Sequence, residues 1–69
     1  MPEFQEHQSV RTLRRVGEIA PGTRGCIVHV YPMGDAYEVE FPAGTVEVDG
    51  EEFRTFEVEF VDGADLAPA

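Results

Sequence analysis

Two five-residue segments carry paired carboxylates at alternate positions: YEVEF at residues 37–41 and FEVEF at residues 56–60. Paired acids invite a reading as general acid and base. That chemistry needs one carboxyl held in an apolar pocket with a raised pKa. In an extended strand, side chains alternate between faces. Glu38 and Glu40 therefore oppose Tyr37, Val39 and Phe41, and Glu57 and Glu59 oppose Phe56, Val58 and Phe60. If the aromatic and valine rows are buried, all four glutamates are solvated and ionised. That is a charged surface, not a catalytic pair.

The other reactive side chains are isolated. Cys26 lies two residues from Arg24, and a nearby cation lowers a thiol pKa. A small, partly apolar residue opening a strand explains the same position without chemistry. His7 and His29 are far apart in the chain, and no further cysteine or spaced acid completes a metal set. No histidine, cysteine and acid are spaced as a nucleophile with its base. The expectation is a non-enzymatic protein with no metal and no cofactor.

The elements that position these residues are short strands. After residue 17, breaks recur at Pro21-Gly22, Gly25, Gly34-Asp35, Pro42, Gly44, Asp49-Gly50 and Asp62-Gly63. Between them lie an alternating stretch in SVRTLRRV, a β-branched run at residues 27–30, and the two glutamate-bearing segments. Gly34-Asp35 supplies a hairpin turn, and Asp49-Gly50 centres a further small hairpin. Leu66 follows the Asp62-Gly63 turn as an apolar plug before a frayed tail. Strands this short, at this spacing, predict an all-β fold: a small SH3-like barrel of about five antiparallel strands. The expected domain covers residues 9–67, behind a flexible N-terminus over residues 1–8. Its expected core is Val10, Leu13, Val16, Ile27, Val28, Val30, Tyr37, Val39, Phe41, Phe56, Val58, Phe60 and Leu66. On this reading Phe41 and Phe60 are equivalent core residues.

Charge narrows the partners. The 69-residue chain has a net charge of −9, with fourteen acids, five arginines and no lysine. Residues 1–34 hold Glu3, Glu6 and Glu18 against four arginines, whereas residues 35–69 hold eleven acids against Arg54 alone. Most of such a surface repels phosphate, so nucleic acid is a poor partner. A basic protein surface is a natural one, unless the acids serve solubility alone. No apolar run is long enough to span a bilayer, and the N-terminal stretch lacks a secretory pattern. A single cysteine fits a reducing compartment, and the expected location is the cytoplasm.

The segment APGTRGCIVHVYPMGDAYEVEF resembles a bacterial family of small SH3-like proteins, a domain of unknown function. Gly22 and Gly25, then CIVHVYP, Met33-Gly34-Asp35, AYEVEF and the closing Asp65-Leu66 carry the likeness. The glycine-then-strand pattern is also similar to the KOW motif of ribosomal and transcription-associated barrels, although their loops are basic. What the resemblance implies is the fold, a bacterial or mobile-element origin and an accessory or antitoxin-type partner, with no catalytic residue.

Three functions stay open. The first is an acidic protein-binding module, an inhibitor or antitoxin-like partner of a basic nuclease or effector. It would use Glu38, Glu40, Glu57 and Glu59 on one outward face, joined by Glu47 and Asp49 with Glu51 and Glu52. The second is a KOW-like nucleic-acid or ribosome-associated module using Arg11, Arg14, Arg15 and Arg24. The third is a structural accessory subunit whose partner covers exposed Phe4 and Met33.

Overall fold

The computed structural model describes residues 4–69. Five antiparallel strands form one sheet: β1 (Ser9–Thr12), β2 (Arg24–Val30), β3 (Ala36–Val48), β4 (Glu51–Asp62) and β5 (Leu66–Pro68). A 3-10 turn, Gly63–Asp65, precedes β5. The spatial order is β4-β3-β2-β1-β5. The sheet is open, with no ladder joining β4 to β5 among the described residues. The tail is not frayed: β5 pairs with β1, setting Leu66 opposite Thr12.

Turn chemistry sets the connections where the sequence places them. Gly34, at φ 84°, sits in the turn from β2 to β3. Asp49 and Gly50 have φ values of 52° and 80° and make the two-residue turn between β3 and β4. Positive φ at both central residues matches the twist of the flanking strands, and an Asp-Gly pair adopts it at low cost. The expected small hairpin and the two glutamate segments are thus one continuous ribbon of two long strands.

The core collects beneath the sheet's root. Val10, Ile27, Tyr37, Val39, Phe41, Val61 and Leu66 are buried there with Phe4 and Ile19. The Phe4 ring meets Tyr37 edge-on at 5.4 Å, and its backbone N–H donates to the Tyr37 hydroxyl at 3.1 Å. The His7 N–H donates to the Ile27 carbonyl at 2.8 Å. The packed unit therefore reaches back to Phe4, inside the stretch expected to be flexible; the remaining residues of that stretch, 1–3, lie outside the described residues. Thr12, buried between β1 and the following loop, donates to the Ala20 carbonyl at 2.9 Å and accepts from the Thr23 N–H at 3.1 Å.

Five expected core residues are outside it, and Val16 and Val30 pack half-buried against it. Val28 is half-buried at a register shift in β2, Leu13 is exposed beyond the end of β1, and Phe56, Val58 and Phe60 are 54%, 52% and 64% exposed. The cause for the last three is register. Near the turn, Val48 pairs with Glu51, Val46 with Phe53 and Gly44 with Thr55. At Pro42–Gly44 the register shifts, and below it Pro42 pairs with Phe56, Phe41 with Glu57 and Val39 with Glu59. Ala43 is the extra residue on β3. A one-residue slip turns every following side chain to the other face. Proline has no N–H to lose from the ladder, and Gly44, at φ 140°, adopts a backbone closed to most residues.

Beyond the root the ribbon has no core under it. Every residue from 42 to 54 is exposed. The molecule measures 46 × 21 × 18 Å, with a radius of gyration of 13.0 Å. A compact chain of this length has a radius of about 11 Å. The projecting ribbon accounts for the excess.

Candidate functional site

Cross-strand partners share a face of a sheet, so the register divides the acids. Glu38 pairs with Phe60 and Glu40 with Val58, which places these four on the face away from the core. Pro42 and Phe56 continue that outer face, and toward the tip so do Glu47 and Glu52, which pair with each other. Glu57 and Glu59 pair with Phe41 and Val39 and lie on the core side, at the sheet's β4 edge. Asp49 is in the turn. The structure therefore brings Glu38, Glu40 and Glu47 to one face and does not bring Glu57 and Glu59 there.

The outer face is a mixed surface, not a purely acidic one. Phe56, Val58 and Phe60 make an apolar row along β4, with Glu38 and Glu40 beside it on β3. Tyr31 joins the row from the β2–β3 connection. Its ring lies 5.4 Å from that of Phe60, and its hydroxyl donates to Glu38 Oε1 at 2.6 Å. That hydrogen bond, followed by partial desolvation and the carboxylate's charge, raises the Tyr31 pKa above its ordinary value of 10.0. His29 is exposed on the same side and stands edge-on to Tyr31 at 4.6 Å. Cys26, half-buried, pairs with Glu40 and so faces outward as well, while its Sγ lies 3.8 Å from the Ile27 carbonyl.

On the core side, Glu59 is half-buried and Gly17 of the β1–β2 loop approaches its carboxylate. Glu57 is exposed. Farther along the ribbon, Val46, Val48 and Phe53 are exposed on this same side, beyond the end of the core. The described residues form no pocket, so the available binding surfaces are open faces and strand edges.

The arginines do not form one patch. Arg11 and Arg24 stand directly opposite each other on β1 and β2, and both are exposed. Arg14 Nε donates to Asp65 Oδ1 at 2.6 Å, which ties the β1 end to the 3-10 turn. Arg15 lies outside the strands. Of the two apolar residues expected at an accessory interface, Met33 is 86% exposed but Phe4 is in the core. No helix among the described residues is long and apolar enough to cross a membrane.

The exposed β4 row was invisible in the sequence because FEVEF alternates just as YEVEF does. The signal that could have found it is the Pro42-Ala43-Gly44 stretch between the two segments. Proline and glycine inside a strand mark a bulge, and one bulge residue reverses what alternation implies downstream.

Comparison with protein-family models, with curated proteins and with solved structures gives no match for this chain.

Proposed function

We propose that this chain is a non-enzymatic acidic module that binds a basic protein, as an inhibitor or antitoxin-like partner of a nuclease or effector in a bacterial cytoplasm. The observation that carries the reading is the outer face, where Phe56, Val58 and Phe60 lie exposed beside Glu38 and Glu40. Apolar rows rimmed by charge are a feature of protein interfaces, because solvated faces rarely keep large side chains together. The surplus of acid over the second half of the chain selects a partner of opposite sign.

An SH3-like architecture is part of this proposal. The sequential order β5-β1-β2-β3-β4 and the 3-10 turn before the last strand support it.

The test is affinity capture from the host, followed by titration of the captured basic protein with three forms of the chain. Wild type should bind with an on-rate that falls with salt. Glu38→Gln/Glu40→Gln and Phe56→Ser/Phe60→Ser should each weaken it. A partner that binds both variants as tightly as wild type, or no basic partner at all, counts against the reading.

A second reading rests on Arg11 opposite Arg24. Like charges in direct cross-strand register repel unless an anion lies between them. A KOW-like contact with nucleic acid would use that pair together with Arg15, whereas Arg14 is engaged by Asp65. A low-salt gel shift lost in Arg11→Ala/Arg24→Ala supports it, and no shift removes it. In the third reading, an accessory subunit, the exposed residue left to cover is Met33; a complex that leaves Met33 exposed ends that reading.

A further inference from the structure

β4 is an end strand of twelve residues, and among the described residues its only ladder is with β3. Along its other edge no strand pairs among the described residues, so a row of main-chain N–H and C=O groups faces solvent. Natural proteins blunt such edges with proline, charged side chains, bulges or covering loops. β4 contains no proline, and the extra residue of the bulge is on β3. Its protection is charge of one sign beside the core, Glu57 and Glu59, which repels an acidic strand and admits a basic one.

The two faces of this edge differ in chemistry. Phe56, Val58 and Phe60 project on the outer side, and Glu57 and Glu59 on the core side. A strand added here would set its own alternating side chains directly against both rows. Apolar residues on one of its faces would cover the phenylalanines and the valine. Basic residues on the other would meet the two glutamates.

A second copy of the chain fits less well. Antiparallel pairing of β4 with itself about Val58 brings Phe56 opposite Phe60, but it also brings Glu57 opposite Glu59 twice, flanking the centre. Arg54 and Asp62 would meet only at the ends of that pairing, and each molecule carries a net charge of −9. Like charges directly opposite destabilise a ladder.

We infer that β4 is a strand-addition site, and that its ligand is an extended protein segment in which basic and apolar residues alternate. The inference rests on the reading of the chain as an acidic protein-binding module, and it specifies how the partner docks. The bound segment adds a sixth strand beside residues 56–60, held by main-chain hydrogen bonds and selected by alternation rather than by total charge.

The experiment uses the full chain and three end-capped peptides. The first is Val-Lys-Val-Lys-Val-Lys-Val, the second is its isomer with the valines and lysines in separate blocks, and the third is the first peptide N-methylated on alternate residues along one edge. Binding is followed by amide chemical shifts and amide exchange at low salt. The alternating peptide should bind, and it should slow exchange of the outward-facing β4 amides. The block isomer and the N-methylated peptide should bind at least about tenfold more weakly, and Glu57→Gln/Glu59→Gln should cost about tenfold for the alternating peptide. The N-methylated control leaves the protein unchanged, so it remains decisive even if the variant is poorly folded.

Equal binding of the alternating peptide and the block isomer would overturn strand addition while leaving the acidic module in place. Equal binding of the N-methylated peptide would do the same. No binding of any peptide would overturn both readings. A concentrated chain that is dimeric by sedimentation, with its outward β4 amides already protected, would assign the edge to a second copy and overturn the inference.

Discussion

Phe41 stands directly opposite Glu57 on the β3–β4 ladder, although the ladder nearer the turn would align it with Val58. One residue, Ala43, makes the difference. It lets the tip of the hairpin follow the Asp49-Gly50 turn while the root follows another register, with Val61 facing Tyr37 inside the core. The root register buries Val61 and leaves Phe56, Val58 and Phe60 for the outer face.

Deletion of Ala43 should therefore remove the bulge and join Gly44 opposite Thr55 directly to Pro42 opposite Phe56, keeping Phe41 opposite Glu57 in one regular ladder. Phe56, Val58 and Phe60 would stay outward and Val61 inward. Retained cross-strand proton contacts between Phe41 and Glu57, with unchanged binding of a hydrophobic dye, are the expected result. A deletion variant that moves Phe41 opposite Val58 would show that the root register depends on the bulge residue itself.

Phe41 and Phe60 should respond very differently to truncation. Phe41 is fully buried, and Phe41→Ala should cost about 3–5 kcal/mol, much of the stability of a domain this small. Phe60 touches Tyr31 on an open face, and Phe60→Ala should cost no more than about 1 kcal/mol. Urea denaturation of the two variants measures the contrast, and equal losses would contradict the register.

Gly25 cannot accept a side chain without movement. A Cβ there would lie 2.7 Å from the Phe41 ring and 2.8 Å from Val39, both in the core. Gly25→Ala should destabilise by about 1–3 kcal/mol through overpacking. A thermal melt unchanged from wild type would mean that β2 and β3 pack less closely.

Tyr31 should titrate above the ordinary phenol range, chiefly because its hydroxyl is bonded to Glu38. A folded-state pKa raised above the unfolded value favours the protonated folded form. The corresponding stabilisation is complete below the unfolded value of about 10 and is lost as pH rises through the folded value. Ring-carbon resonances of Tyr31 report the midpoint directly. Glu38→Gln should move it back toward the ordinary value, and an unmoved midpoint would remove Glu38 as the cause.

Much of the fold is legible in the residues. Tyr37, Val39 and Phe41 are buried as their alternation predicts, Gly34 and Asp49-Gly50 turn where expected, and Leu66 does reach the core. The second segment misleads because alternation fixes which residues share a face, but not which face is inside. That choice passes through the bulge, and no property of FEVEF itself records it. Phe4 and Ile19 were missed for a different reason. Neither lies in an alternating run: Phe4 reaches the core from before β1, and Ile19 from an isolated bridge with Val16 in the β1–β2 loop. The candidate site is half legible: Glu38, Glu40 and Glu47 on β3 face outward as read, whereas Glu57 and Glu59 on β4 do not.

The ribbon beyond Phe41 is anchored at one end only, with every residue from 42 to 54 in solvent. Its free energy of opening is therefore set by its own ladder and turn, largely apart from the core, and segments of that kind open as separate units. Exchange of the tip amides should proceed while the amides of β2 and the root of β3 stay protected. The same separation leaves Val46, Val48 and Phe53 free to be replaced without unfolding the domain. Sequence can drift there at little cost to the rest of the molecule, and whatever this arm touches can change faster than the fold that carries it.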